Sequence, residues 1–139
     1  MNPRVLSIWL CLACCAVSSC ATTVDEARLL HAMRQVEEWD GRDGARGERG
    51  PWQITGAVWS MHMPGRPFAE ARHEGPAREC ALRHLAWLRA QLRARGCDDG
   101  AFMVALTWNA GLARTLSGKA PMRAYNHALR VENLHRHRP

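Results

Sequence analysis

Apolar residues return along this chain at helical intervals, and no run of convincing length shows the two-residue alternation of a strand. Over residues 24–39, Ala27, Leu30, Met33 and Val36 recur every third position with Leu29 alongside, the pattern of one buried helical face. Asp25 and Glu26 fall in its first turn, where the positive end of the helix dipole favours them. Residues 41–51 carry four glycines among alternating charges and read as a loop. A short helix is expected over 52–63, capped by Thr55 and closed by Gly65-Arg66-Pro67. The strongest helix spans 76–95, with Pro76 in its first turn, Gly96 at its end, and Ala77, Cys80, Ala81, Leu85, Leu88 and Leu92 as its inner stripe. Further helices are expected over 101–110, ending at Gly111, and over 122–134 after Pro121. The fold class that follows is mainly α.

Length and composition set the scale. A chain of 139 residues, 47% hydrophobic and 23% charged, suits one globular domain rather than two cores. Nineteen Lys and Arg against thirteen Asp and Glu give +6, which favours anionic partners without choosing among them. Six of the nine aromatic residues are Trp, a ring suited to presenting a flat face to a ligand. Trp52, Trp59 and Trp87 nevertheless sit at helical spacing and read first as core.

The cysteines resolve into two groups. Cys11, Cys14, Cys15 and Cys20 lie in the first twenty residues, so a disulfide-rich mini-protein is excluded. Residues 1–19 have one positive charge at Arg4, then an apolar run of about a dozen residues and then small ones, the anatomy of a signal peptide too short to span a membrane. Val17-Ser18-Ser19-Cys20 resembles a bacterial lipoprotein box, in which Cys20 would be acylated and tether the chain to a membrane; an ordinary cut near Ala21 fits the small residues almost as well. Either way an exported chain is expected, and losing Arg4 leaves eighteen basic against thirteen acidic residues, a net +5. Cys80 and Cys97, 17 residues apart along a helix, would be separated by roughly 25 Å and should not pair. Residues 20–134 then form the domain and 135–139 a solvated basic tail, although His135 and His137 are metal-ligand types. No P-loop, dinucleotide glycine motif or internal repeat appears.

Candidate chemistry centres on Glu37. It lies four residues after Met33 and beside Val36, at the edge of the stripe that should face the core, although a fraying last turn would leave it solvated. Desolvation disfavours a charged carboxyl, and an acid still protonated near neutrality is what general acid catalysis needs. The succession of parts sharpens this reading: a helix ending in Val36-Glu37, a glycine-rich loop, Gly50-Pro51-Trp52-Gln53-Ile54, then Ala105-Leu106-Thr107-Trp108-Asn109-Ala110-Gly111, and a final helix with Tyr125-Asn126-His127-Ala128-Leu129-Arg130-Val131. This succession resembles the soluble lytic transglycosylase catalytic domain, a lysozyme-like family that cuts peptidoglycan, and the resemblance covers roughly residues 27–134.

The resemblance implies a compact lysozyme-like helical domain with a glycine-rich loop beside the catalytic helix. It makes Glu37 the catalytic residue and Gln53 and Asn109 groups that hold substrate. Trp52, Trp108, Tyr125 and His127 join them as substrate-binding candidates, Trp108 standing where the family usually has Tyr and His127 where its supporting tyrosine falls. Glu38 replaces the family's Ser, and its like charge beside Glu37 would favour proton retention. The implied reaction uses no metal or cofactor: Glu37 protonates the bond between N-acetylmuramic acid and N-acetylglucosamine, then accepts the 6-hydroxyl proton as a 1,6-anhydro ring closes. A lysozyme-like hydrolase would instead need a second carboxylate from the loop, where Glu48 is preferred to Asp40 and Asp43. An inactive peptidoglycan-binding protein of the same fold is a further alternative. The implied partner is peptidoglycan glycan, a monomer is expected, and export argues against nucleic acid.

Overall fold

A computed structural model describes residues 24–137; the signal segment, Cys20 and the last two residues lie outside it. Six α-helices and one 3₁₀ turn account for most of the described residues, which contain no strand. They are α1 (Val24–Glu37), α2 (Gly56–His62), the 3₁₀ turn (Phe68–Arg72), α3 (Glu74–Arg93), α4 (Ala101–Ala110), α5 (Leu112–Leu116) and α6 (Met122–Arg136).

Helix α4 is apolar on almost every side, the composition of a helix surrounded by others. It packs against α6 and α3, and α6 in turn packs on α1. The inner stripe of α3 is buried as the spacing predicts, and the helix closes by a Schellman motif: Cys97 N–H donates to Leu92 O and Gly96 N–H to Arg93 O, both at 3.0 Å. Thr55 caps α2, its hydroxyl accepting from the Val58 N–H. Cys80 is buried, Cys97 half-buried, and both are free thiols.

Several expectations are corrected. Ala27 is exposed, and the α1 face against the core is formed by Leu29, Leu30, Ala32, Met33 and Val36. A strict three-residue step drifts about 60° around a helix with each repeat, which carries Ala27 to the far side from Val36. Helix α2 begins at Gly56 rather than near Trp52, because residues 49–54 close a tight turn in which Arg49 and Ile54 exchange backbone hydrogen bonds at 2.9 Å. Helix α6 continues to Arg136, so the expected tail begins inside it, and His135 bonds Asp25 at 2.8 Å instead of standing in solvent. The 3₁₀ turn and α5 were not visible in the periodicity, each being only five residues long.

Candidate functional site

The last turn of α1 and the loop after it build the site. Glu37 is the final residue of α1, and its side chain is 17% exposed. Its Oε1 lies 2.9 Å from Nε2 of His127, whose side chain is 10% exposed and comes from the middle of α6. His127 Nδ1 is buried and has no hydrogen-bond partner among the described residues. The Nε2–H tautomer fits both facts, since it donates to the carboxylate and leaves a lone pair, rather than a buried N–H, unmatched. His127 is thus bonded to the Glu37 carboxyl and lies outside the lining of the cleft that Glu37 faces, which corrects its expected place among the substrate-binding residues.

Chain direction reverses after Glu37. Glu38 adopts a left-handed conformation (φ 49°), is exposed, and pairs with Arg130 at 2.7 Å. The expectation that Glu38 presses its charge on Glu37 is therefore corrected: that charge is turned to solvent and matched. The carboxylates of the loop after α1 are each matched by arginine, with Arg42 on Asp40, Arg49 and the 3₁₀ turn's Arg72 on Asp43, and Arg46 on Glu48. The bond with Arg72 is foremost in holding the Asp43 carboxyl below its ordinary range.

Residues 49–54 then present Gln53 to the cleft. Trp52 and Ile54 are buried on either side of it, and the Trp52 indole N–H donates to Leu30 O at 2.8 Å. Gln53 is left-handed (φ 47°), a conformation costing a non-glycine residue on the order of 1 kcal/mol or more. It is pinned there by its backbone N–H at 2.9 Å and its side-chain amide at 3.0 Å, both donating to Gly50 O. Gly50 itself (φ 73°) abuts the 3₁₀ turn so closely that a Cβ would fall 1.8 Å from Ala71 O, so only glycine fits. A Cβ on Gly44 would lie 2.5 Å from both Gln53 Oε1 and Glu48 Oε2, and a larger residue there would displace both side chains.

Glu37, Glu48, Gln53, Trp108, Asn109, Arg46 and Arg123 line one cavity of about 310 Å³. A second, of about 420 Å³, shares Arg46, Glu48, Thr55, Trp108 and Asn109 with it and extends to His84, Trp87 and Arg114. The shared lining makes one groove, within the size range of ligand sites. Trp108 and Asn109 end α4 and are half-buried, and no side-chain hydrogen bond engages Asn109 among the described residues, so its amide is available to a ligand. Glu48 has both carboxylate oxygens engaged: Oε1 takes the Arg46 guanidinium and Oε2 the Arg46 backbone N–H, each at 3.0 Å. Burial pushes its carboxyl up, but these bonds, its own backbone N–H and the Arg46 charge bring it below the ordinary glutamate value.

The structure brings Glu37, Glu48, Gln53, Trp108 and Asn109 into one cleft and leaves three substrate-binding candidates out of its lining: His127, which bonds the Glu37 carboxyl, Trp52 and Tyr125. Trp52 is a core residue, because its ring and its indole N–H are both satisfied inside. Tyr125 packs half-buried beside Phe102, with ring centroids 6.4 Å apart, and lines neither cavity. Sequence reasoning missed Arg46, Arg114, Arg123 and His84. Arg123 carried a signal, since it precedes His127 by four residues on the same face of α6. His84 falls on the buried stripe of α3, its ring stacked on Trp87 (5.5 Å, 12°) and edge-on to Trp108 (5.0 Å), with Nδ1 3.0 Å from His62 Nε2. No group of three or more His, Cys, Asp or Glu side chains among the described residues is arranged to hold a metal ion. Comparison with protein-family models, curated proteins and solved structures returned no match.

Proposed function

We propose that this chain is a lytic transglycosylase of lysozyme-like fold, cutting the β-1,4 bond between N-acetylmuramic acid and N-acetylglucosamine in peptidoglycan. One observation carries the reading: the mostly buried carboxyl of Glu37, braced by His127, faces a groove that also holds Gln53, Trp108 and Asn109. These are residues the family resemblance singles out, contributed by four separate segments of the chain.

In the reaction, the protonated Glu37 carboxyl gives its proton to the glycosidic oxygen as the bond to C1 breaks. The neighbouring acetamido oxygen stabilises the cationic C1. The Glu37 carboxylate then takes the proton of the 6-hydroxyl while O6 bonds to C1, which closes the 1,6-anhydro ring and restores the acid. The amides of Gln53 and Asn109 hold acetamido groups, and the Trp108 ring offers a face to a sugar. General acid and base steps of this kind contribute about 10²–10⁴-fold each. A hydrolase would need a carboxylate free to position water, and the clasp of Arg46 on both oxygens of Glu48 favours the single-carboxylate route. Export in a signal-bearing form, with or without a lipid on Cys20, belongs to the same proposal. Among the described residues no helix is long and apolar enough to cross a membrane.

Mass analysis of fragments released from purified sacculi tests the reading. Fragments one water lighter than the hydrolytic product are expected. Reducing ends would reassign the protein as a hydrolase, and the release of no fragments would overturn the enzymatic reading.

A further inference from the structure

Most arginines of this chain are matched to a carboxylate: Arg34 to Glu74, Arg66 to Glu70 and Glu79, Arg83 to Glu79, Arg89 to Asp25, and those of the loop as described. Arg123 and Arg114 are exceptions, exposed and with no carboxylate partner among the described residues. Both line the groove. Arg123 belongs to the Glu37 cavity and stands one turn before His127 on α6. Arg114, on α5, belongs to the adjoining cavity with Trp87 and Trp108. Arg46, the third arginine there, is already neutralised by Glu48. The groove therefore offers two unmatched guanidinium groups, one in each cavity, with Trp108 and Asn109 lining both. A guanidinium is the side chain best shaped to take a carboxylate through paired hydrogen bonds, and its charge cannot be lost by deprotonation.

We propose that Arg123 and Arg114 select glycan bearing carboxylates on alternate sugars, each arginine pairing with a carboxylate carried by the O3 substituent of a muramoyl residue. This deepens the transglycosylase reading and rests on it. In such a polymer every second sugar carries a lactyl ether. Its carboxylate is free where the peptide stem has been removed, and where the stem is present the stem brings carboxylates of its own. An unsubstituted N-acetylglucosamine oligomer offers the same acetamido groups to Gln53 and Asn109 but no anion to the two arginines. Selection between the two polymers would then come from charge, with the amides and Trp108 reading what they share.

The test measures dissociation constants on a Glu37→Gln background, which binds without turnover, for three ligands: stem-bearing muramoyl strands, strands stripped of stems by an amidase, and an N-acetylglucosamine oligomer of matched length. The unaltered arginines should bind at least one muramoyl ligand at least tenfold more tightly than the oligomer, a preference that weakens with added salt. Arg123→Gln and Arg114→Gln should each remove several-fold of it, and the double variant should bind all three ligands alike. Preference for stripped strands alone identifies the lactyl carboxylate as the group bound, preference for stem-bearing strands alone identifies the stem carboxylates, and preference for both shows that the arginines accept either. Muramoyl binding unchanged in the double variant, or equal affinity for the oligomer from the outset, overturns the assignment while leaving the transglycosylase reading in place. Binding to none of the three overturns both.

Discussion

Replacing Glu37 by Gln is expected to lower the release of soluble wall fragments by about 10²–10⁴-fold, the range for loss of a positioned proton donor. Glutamine has nearly the same shape, and its amide oxygen accepts from His127 Nε2–H as the carboxylate does at 2.9 Å. The thermal midpoint and the affinity for glycan should therefore change little. That separation identifies chemistry, because a variant that merely loosened the end of α1 would lose stability and binding together. A Glu37→Gln protein that still releases fragments within a few-fold of the parent rate would remove Glu37 from the reaction.

Stability is expected to depend on pH through His84. Burial, followed by the influence of the neighbouring His62, depresses its imidazole from 6.5 to about 4. The folded protein thus keeps His84 neutral down to about pH 4, whereas the unfolded chain protonates it near 6.5. Between these values the unfolded state binds the extra proton, so acidification favours unfolding; above 6.5 neither state is protonated and the contribution is constant. The gap corresponds to about 3 kcal/mol lost between pH 6.5 and 4. Urea titrations across that window, run beside a His84→Gln variant, isolate the effect from carboxylates such as Asp25 and Asp43, whose groups are shifted downward by their arginine bonds. The variant's curve should be flatter by about that amount, and parallel curves would show that His84 carries no such linkage. His84 stacks on Trp87 and meets Trp108 edge-on, so the same protonation would disturb one wall of the groove.

The helical architecture was legible where pattern and punctuation agreed. Helix α3 combined a long inner stripe with a glycine that closes a Schellman motif, and both features act locally. Position 84 also fell on that stripe, but periodicity reveals only that a side chain is buried. That a histidine belongs there depends on His62 and two tryptophans brought in by other elements. Trp52 was ambiguous for a related reason: the carbonyl that satisfies its indole belongs to Leu30, 22 residues earlier. The pairing of Glu37 with His127 spans 90 residues, and only the succession of motifs pointed to it. Arg46, Arg114 and Arg123 were hidden among nineteen basic residues until the structure distinguished those with carboxylate partners from those without.

The most direct measurement is a crystal structure of the Glu37→Gln protein with a muramoyl-glucosaminyl tetrasaccharide. The account predicts a glycosidic oxygen within hydrogen-bond distance of the side chain at position 37, acetamido groups on Gln53 and Asn109, and a sugar face against Trp108. A tetrasaccharide seated elsewhere on the molecule, with the groove between Glu37 and Trp87 unfilled, would contradict it.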